Sequence, residues 1–307
     1  MTKKTSLRVS SSNLANELGR EEFPLSDFDH TLPKIYTQIT LTFKLEDHVD
    51  CQTVIDNFVV ELQRTLSQYR SLRGTLQTNV TTGKLWIRKE KHNTVEFVTN
   101  WIDGSLDDFP SYETLEKADF SAAMLDGDSL FPLHVTHKQP LTAIGESGED
   151  DTPILVARAN FIRGGLILVV AVHHSCSDAL PQIASVMRAS ILEATSKKLI
   201  NRTADWIASV PNKACITLAT KNFMGLDIAA ASWRQMTAYQ EHDFGFGPPK
   251  ALRWPKPMID GYIFVYPHRP KDDPQECNEL NVCLEPSCME RLLADEELAQ
   301  YAHLRGI

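Results

Sequence analysis

Runs of apolar side chains predict a series of β-strands along this chain. Residues 35–45 alternate apolar and polar side chains, which is the pattern of a half-buried strand. Residues 166–172 form a continuous aliphatic run, which predicts a strand that is buried on both faces. Shorter apolar runs predict further strands at residues 72–76, 84–87, 95–98, 154–161, 214–220, 261–266 and 280–284.

A second pattern, with apolar residues three or four positions apart, predicts helices. One amphipathic helix is predicted over residues 53–69, with Asp50 placed to cap its first turn. A helix over residues 179–196 follows the aliphatic strand, and a last helix over residues 288–302 begins after Ser287, in a predicted capping box. A polar N-terminal arm precedes these elements.

The aliphatic strand ends in two histidines, His173 and His174, and Asp178 follows four residues after the second. Asp178 is therefore predicted at or near the start of the helix over residues 179–196. A buried strand is rigid and its end opens to solvent, so this is a junction at which proteins often place catalytic groups. The junction is the first candidate site.

Four interpretations of this junction stay open on the residues alone. His174 could be a structural histidine satisfied by a backbone carbonyl, or His174 and Asp178 could be two ligands of a metal whose other ligands we cannot identify. Cys176 could be a nucleophile with His174 as its base, although neighbouring side chains on a turn usually diverge. Finally, His174 could be a general base, since a pKa of about 6.5 leaves it mostly neutral near pH 7.

Composition excludes several classes of protein. The 307 residues are 42% hydrophobic and 23% charged, and the net charge of −9 argues against a nucleic-acid partner. The N-terminal arm lacks the apolar core of a signal peptide, and no apolar run approaches the roughly 20 residues that span a bilayer. The six cysteines form no zinc-type pairs, so we expect free thiols and no metal. We expect a cytoplasmic monomer.

A second motif, DFGFG, lies near the C-terminus at Asp243, Phe244, Gly245, Phe246 and Gly247. Two glycines and the two prolines that follow predict a rigid loop. Together with HHSCSDA at residues 173–179, this motif resembles the BAHD acyltransferase family, and most of all its fungal branch, which includes trichothecene 3-O-acetyltransferase. Members of that family carry HxxxD near the middle and DFGWG towards the C-terminus, so Phe246 stands here in place of the usual Trp. The pattern LSxxDxxxPxxY at residues 25–36 also resembles the opening of fungal members.

The resemblance implies an α/β fold of two chloramphenicol-acetyltransferase-like domains, with the histidine in a channel between them. It implies acyl-CoA, most commonly acetyl-CoA, as co-substrate and a small-molecule alcohol as acceptor. His174 would deprotonate the acceptor hydroxyl, which attacks the thioester directly, and Asp178 would hold the histidine's loop. Neither an acyl-enzyme nor a metal is implied. The DFGFG loop would be a structural element on the CoA side.

The interval between the two motifs, residues 179–242, is much shorter than in the family. It predicts an N-terminal domain over residues 1–198 and a shortened, incomplete C-terminal domain over residues 199–307. The leading hypothesis is an acyl-CoA-dependent O-acyltransferase, most commonly an acetyltransferase, that modifies a fungal secondary metabolite. The alternatives are a truncated, catalytically inactive relative and a condensation-type domain acting on carrier-bound acyl groups, which shares the HHxxxD motif.

Overall fold

The computed structural model describes most of the chain, and it is an α/β structure as predicted. The description covers residues 3–27, 29–32, 34–103, 108–131, 152–176, 197–217, 227–255, 260–270 and 277–306. Asp178 and the helix predicted over residues 179–196 lie outside these ranges.

Thirteen strands occur in the described residues. In chain order, β1 to β13 are Lys3–Val9, Arg20–Pro24, Tyr36–Lys44, Thr75–Thr78, Leu85–Glu90, Val95–Trp101, Thr152–Pro153, Leu155–Ile162, Gly165–His173, Ala229–Ser232, Ala251–Arg253, Tyr262–Val265 and Leu280–Cys283.

The α-helices of the described residues vary widely in length, and short 3-10 helices lie between some of the elements. In chain order, α1 to α6 are Cys51–Gln68, Tyr112–Lys117, Gly127–Leu130, Lys197–Ser209, Ala238–Glu241 and Pro286–Leu293. No helix of the described ranges has the length and apolar composition needed to cross a membrane.

A six-stranded sheet in the order β1-β6-β8-β9-β3-β11 organises the molecule. β8 and β9 form a hairpin, and Gly164 in its turn has a φ of +72°, a conformation that glycine adopts without strain. β9 also pairs antiparallel with β3 along its whole length, from Lys44 opposite Gly165 to Tyr36 opposite His173. Because both neighbours of β9 are strands, its backbone N–H and C=O groups find hydrogen-bond partners on both edges.

Apolar layers cover both faces of this sheet. On one face α1 buries Val54, Ile55, Phe58 and Leu66, which lie on one side of the helix as its sequence pattern predicts. The predicted N-cap is confirmed: the Asp50 carboxylate accepts hydrogen bonds from the backbone N–H groups of residues 52 and 53. The other face is packed by α2, α3 and the turns around them.

The C-terminal part of the chain contributes both to the central sheet and to a small sheet of its own. β11 pairs antiparallel with β3 at the edge of the six-stranded sheet. β10, β12 and β13 form a three-stranded sheet, and its Phe264 packs against Trp233 and Trp254. A four-stranded sheet in the order β2-β5-β4-β7 completes the described fold. The domain division after residue 198 stays a prediction.

Three sequence predictions need correction. The N-terminal arm is not a simple polar extension, since β1 pairs with β6 and β2 pairs with β5. The sequence pattern did not predict these strands, because β1 and β2 are edge strands, and edge strands present polar residues to water. The strand predicted over residues 214–220 is wrong at its start, because Lys213–Cys215 is a 3-10 helix. Asn212 caps this helix by accepting a hydrogen bond from the Ala214 N–H. Residues 218–220 lie outside the described ranges.

The last helix begins earlier and ends sooner than its sequence pattern predicts. It spans Pro286–Leu293, and its cap is Glu285 rather than Ser287. The Glu285 carboxylate accepts from the backbone N–H groups of Ser287 and Cys288, and Pro286 fits the first helical position because that position needs no N–H. The helix stops because Asp295 accepts from the N–H groups of residues 297 and 298 and starts a new turn.

A buried cluster of charges fastens the C-terminal part to the central sheet. Glu279, which is 6% exposed, accepts hydrogen bonds from Arg253 on both carboxylate oxygens at 3.2 Å, from Arg305 at 2.7 Å and from Arg269 at 3.4 Å. Burial tends to raise the pKa of Glu279, but Arg253 and Arg269, followed by Arg305, hold it below its usual value. A single carboxylate is therefore the shared partner of three guanidinium groups, and Arg305 also pairs with Asp119 at 3.3 Å.

The same cluster explains an unusual turn after α2. Asp119 and Phe120 have φ values of 50° and 54°, in the left-handed region that costs energy for residues other than glycine. This conformation directs both backbone carbonyls at Arg253, whose Nη2 and Nε donate to them at 3.1 and 3.0 Å. The turn, the edge strand β11 and Glu279 are thus held by one side chain.

A second buried network ties the N-terminal segment to the four-stranded sheet. The Lys89 side chain is fully buried and bonds Glu17 at 2.7 Å and Glu21 at 2.6 Å, while Arg73 and Ser11 also donate to Glu17. Burial opposes ionisation of Glu17, but the hydrogen bonds from Lys89, Ser11 and Arg73 lower its pKa to about 2. The ionised form of Glu17 is therefore stabilised by folding.

The substitution Glu279→Gln should destabilise the protein strongly, because it removes the carboxylate that the buried guanidinium groups of Arg253 and Arg269 share. We expect the free energy of unfolding, measured by urea denaturation, to fall by about 3–5 kcal/mol. Glu113→Gln is the control, since its ion pair with Lys117 is exposed and should contribute little. A Glu279→Gln variant as stable as the control would contradict this role.

The substitution Glu17→Gln should change how stability depends on pH. A carboxylate whose pKa is lowered by folding stabilises the native state above its unfolded value of 4.5, and this stabilisation is lost as the pH falls towards about 2. The difference in unfolding free energy between wild type and variant should therefore be largest above pH 4.5 and shrink towards pH 2. Glu61→Gln, at an exposed ion pair with Arg64, is the control. A difference that stays constant with pH would be evidence against the network.

Candidate functional site

The two histidines lie at the end of the best-paired strand of the sheet. His173 is the last residue of β9, and His174 begins a 3-10 helix that continues to Cys176. The backbone N–H of His173 donates to the carbonyl of Ile154 at 2.9 Å, and that of His174 donates to the carbonyl of Ile35 at 2.8 Å. Both histidines are thus held through their backbones at a defined point of the sheet.

His173 is the inner histidine of the pair. Its side chain is fully buried, and its ring meets the ring of Tyr36, directly opposite on β3, edge to face at 5.4 Å. The Tyr36 hydroxyl donates to the carbonyl of Pro153 at 2.6 Å. Burial, then the neighbouring His174 and Lys34, lower the pKa of His173 to about 4. The inner histidine is therefore neutral near pH 7.

His174 is the outer histidine and is only half-buried. Burial lowers its pKa below 6.5, although a backbone hydrogen bond partly offsets the effect. The imidazole is therefore neutral near pH 7, as a general base must be before it takes a proton. Asp178, the predicted partner in the motif, lies outside the described residues, so its support of His174 stays a prediction.

The structure disfavours Cys176 as a nucleophile. Burial, followed by the charge of Asp29, raises the pKa of its thiol to about 12, whereas reactive cysteines have a lowered pKa. Its sulfur also lies 4.0 Å from Nδ1 of His173, the inner histidine, which is not the base that the nucleophile interpretation requires. The thiol at this position is a partly buried neutral group.

The segment with the LSxxDxxxPxxY pattern contributes the surroundings of the histidines. The 3-10 helix Asp29–Thr31 lies against the 3-10 helix that starts at His174. His30 is buried; its Nδ1 bonds the carbonyl of Ser26 at 2.7 Å and its Nε2 accepts from the Leu85 N–H at 2.9 Å. The sequence pattern was a signal for these residues, but their position beside His174 required the fold.

The DFGFG loop is built around its first residue. Oδ1 of Asp243 accepts from the backbone N–H groups of Gly245 at 2.8 Å and of Gly247 at 3.0 Å. Both glycines have φ near +100°, with values of 94° and 100°, which only glycine adopts readily. The predicted rigid loop is therefore present, and the pattern of glycines follows from its backbone conformation.

Two aromatic residues anchor this loop on the central sheet. Phe244 packs against Phe58 of α1 with ring centroids 4.4 Å apart, and Phe246 packs against Phe43 of β3 at 5.3 Å. Nδ2 of Asn57 donates to the carbonyl of Phe244 at 2.9 Å. Phe246, which stands in place of the family's Trp, is thus a partly buried packing residue.

The loop and the histidines lie at opposite ends of the β3–β9 pair. Phe43, under the loop, is seven residues along β3 from Tyr36, beside His173, which is a separation of roughly 23 Å. An open groove of about 450 Å³ lies beside the loop, with the acidic side chains of Glu46 and Asp50 on its wall. The loop therefore does not touch the groups around His174.

No group of three or more His, Cys, Asp or Glu side chains that could hold a metal ion occurs within the described ranges. In particular, the histidines and cysteine of residues 173–176 are not arranged as a metal site there. The metal interpretation of His174 and Asp178 is not tested by this result, because Asp178 lies outside the described ranges.

Comparison with known proteins identifies the family. The sequence profile of the trichothecene 3-O-acetyltransferase-like N-terminal domain matches residues 35–191, which include HHSCSDA. Acetyltransferase FGR3 of Gibberella zeae is 34% identical over 54% of this chain and 33% of its own length. Trichothecene 3-O-acetyltransferase TRI101 of Fusarium sporotrichioides is 30% identical over 50% of this chain and 33% of its own length. The matching segment thus spans about a third of these curated relatives.

A solved structure shares the fold. The crystal structure of F. graminearum TRI101 complexed with coenzyme A and T-2 mycotoxin matches with a TM-score of 0.77 and 15% identity, over 93% of this chain and 100% of that chain. This likeness confirms the predicted fold class, whereas the incompleteness of the C-terminal domain stays a prediction. The resemblance read from the two motifs is confirmed by the profile and the relatives. The chain belongs to the trichothecene 3-O-acetyltransferase-like family.

Proposed function

We propose that this chain is an acyl-CoA-dependent O-acyltransferase that uses His174 as its general base. The observation that carries the proposal is the placement of a half-buried, neutral imidazole at the end of a rigid strand. Membership of a family whose relatives are named acetyltransferases gives the reaction class. A neutral imidazole can take a proton from a hydroxyl without first losing one of its own.

The reaction follows from that placement. The imidazole of His174 removes the proton of the acceptor hydroxyl while the oxygen attacks the thioester carbonyl of the acyl-CoA. The tetrahedral oxyanion collapses, the carbon–sulfur bond breaks, and the sulfur of CoA takes the proton from the imidazolium. No bond to the protein forms at any step, which agrees with the raised pKa of the only nearby described thiol, Cys176.

The substrates are proposed from the relatives. Coenzyme A is named in the TRI101 crystal structure, and T-2 mycotoxin is its second ligand there. We propose acetyl-CoA as donor here and a hydroxyl of a fungal secondary metabolite as acceptor. Asp178 is proposed to hold the turn that carries His174 through a salt bridge.

The DFGFG loop has a supporting role in this proposal. It lies roughly 23 Å from the histidines along β3, so its residues cannot take part in proton transfer. As the family resemblance implies, we propose that the loop is a structural element on the side of the protein that binds coenzyme A. The loop holds α1 on the sheet through its contacts with Phe58 and Asn57, and β11 follows it in the chain.

One observation favours the alternative of an inactive relative: the matching segment spans only about a third of the curated relatives. A chain that lacks part of the second wall of the channel would keep the histidine but lose substrate binding. An assay can distinguish the active enzyme from the inactive relative, because only the active enzyme releases free coenzyme A.

The substitution His174→Ala should abolish most acyl transfer. Incubating the protein with acetyl-CoA and a panel of fungal alcohols, and following free thiol, should show kcat lowered by roughly 10²–10⁴-fold. His92→Ala, an exposed histidine in the turn after β5, should retain wild-type activity. Activity that survives His174→Ala would eliminate the proposed base, and a wild-type protein inactive with every acceptor would favour the inactive relative.

The pH dependence of kcat/KM should report the same histidine. Because burial lowers the pKa of His174, the base stays deprotonated as the pH is lowered to 6.5. The rate should therefore be level near pH 7 and fall only below pH 6.5, as the imidazole becomes protonated. An acidic limb centred above pH 6.5 would be inconsistent with this base.

The substitution Asp243→Ala should lower stability with little effect on chemistry, because it removes an acceptor shared by two backbone N–H groups. We expect the unfolding free energy to fall by about 1 kcal/mol, and Asp243→Asn, which keeps the acceptor oxygen, to restore most of it. Thermal unfolding and kcat measured on the same samples separate the two effects. A large loss of kcat in a fully folded Asp243→Ala variant would show that the loop acts on the reaction.

A further inference from the structure

The inner histidine is unlike an ordinary core residue. A fully buried imidazole lies directly beside the proposed base, and its polar atoms are not needed for the strand pairing, which the backbone completes. An aliphatic side chain would fill the same space without the cost of burying polar nitrogens. Packing alone therefore does not explain why a histidine occupies position 173.

We propose that His173 is a positioning residue for His174, acting through a chain of contacts from Tyr36 to His173 to Cys176 that fixes the turn after β9. This inference rests on the proposed function, because it assigns a second residue to the same site. In this arrangement His173 touches neither substrate nor the reacting atoms. It holds the turn and leaves the proton to His174.

This chain of contacts connects the turn to two sheets. On one side of the His173 ring, Tyr36 contacts it edge to face and donates its hydroxyl proton to the carbonyl of Pro153, in β7 of the four-stranded sheet. On the other side, Cys176 at the end of the 3-10 helix brings its sulfur to 4.0 Å from Nδ1. His174 lies between His173 and Cys176 in sequence, so contacts at these two residues restrain the backbone of the turn that carries His174.

The neutral state of the Cys176 thiol allows it to donate in its contact with His173. Burial and then Asp29 raise the pKa of the thiol to about 12, so the sulfur carries its hydrogen and can act as a weak donor. We assign Nδ1 of His173 as the acceptor, which places the ring hydrogen on Nε2, a buried nitrogen that has no hydrogen-bond partner within the described residues. The arrangement needs a neutral His173, because a cationic imidazole has no acceptor nitrogen.

The surroundings keep this histidine neutral. Tyr36 from β3 and Cys176 from its own turn contact its ring, and the charges of His174 and Lys34 act on it, while the charge of Asp29 acts on Cys176. Tyr36 and Cys176 are uncharged near pH 7, since burial raises the pKa of both groups. When His174 takes a proton from the acceptor, no second imidazolium lies beside it to repel the new charge.

The first experiment measures the protonation states of the two histidines in the protein without substrates. The full chain, labelled with ¹⁵N and ¹³C on histidine, is titrated by NMR, and the signals of residue 173 are assigned as those missing from His173→Asn. We expect His173 to remain neutral with its hydrogen on Nε2 from pH 8 down to about pH 5.5. Titration of His173 above pH 6, or a hydrogen on Nδ1, would overturn the proposal. This result does not depend on any catalytic activity.

The second experiment separates positioning from packing. His173→Phe keeps a ring against Tyr36 but removes the acceptor, and Cys176→Val keeps the volume of the thiol but removes the donor. Both should lower kcat, by as much as 100-fold for a misplacement of about 1 Å, with KM nearly unchanged. Cys176→Ser, which keeps a donor at the same place, should recover most of kcat.

The outcomes of the two experiments are distinguishable. Folded His173→Phe and Cys176→Val variants with wild-type kcat would overturn the positioning role, and so would a Cys176→Ser variant as impaired as Cys176→Val. If the wild type transfers no acyl group, the proposed function fails, and the NMR titration alone decides whether His173 is the neutral member of the pair. Thermal unfolding of each variant confirms that the kinetic comparison is made on folded protein.

Discussion

The antiparallel pairing of β3 with β9 is the constraint on which the rest of the structure depends. Its nine-residue register fixes Tyr36 opposite His173 at one end and Lys44 opposite Gly165 at the other. The first end presents the histidine pair, and near the second end Phe43 supports the DFGFG loop. A shift of one residue would exchange the two faces of β9 and move His173 out of the core. The distance between the two family motifs is therefore set by one strand pair.

Charge clusters and aromatic contacts hold the remaining parts to this pair. Arg253 and Glu279 fasten the edge strand β11 and the C-terminal segment to the turn after α2, and the network around Lys89 fastens the N-terminal segment. Buried ion pairs are weak contributors to net stability, but breaking one is costly. They specify which segments meet, while the apolar layers on the two faces of the sheet supply most of the driving force.

The sequence predicted the elements that carry strong hydrophobic periodicity and missed those that do not. β3, β9 and α1 follow from alternation, from an aliphatic run and from an apolar stripe capped by Asp50. β1 and β2 escaped because edge strands with polar side chains lack that signal. The last helix was misplaced because Glu285 and Ser287 are both plausible caps, and only the backbone geometry distinguishes them. His174 was predicted from its motif, whereas the contact of Tyr36 with His173 depends on a pairing between residues far apart in sequence.

The central claim is that His174 is the base for an acceptor hydroxyl, and a structure of the chain with coenzyme A and an acceptor alcohol tests it most directly. We predict the acceptor oxygen within about 2.6–3.2 Å of an imidazole nitrogen of His174, or linked to it by one water. The thiol of coenzyme A should lie on the other side of the same oxygen, so that a thioester carbon could reach it. Both ligands bound at sites that His174 cannot reach would contradict the account.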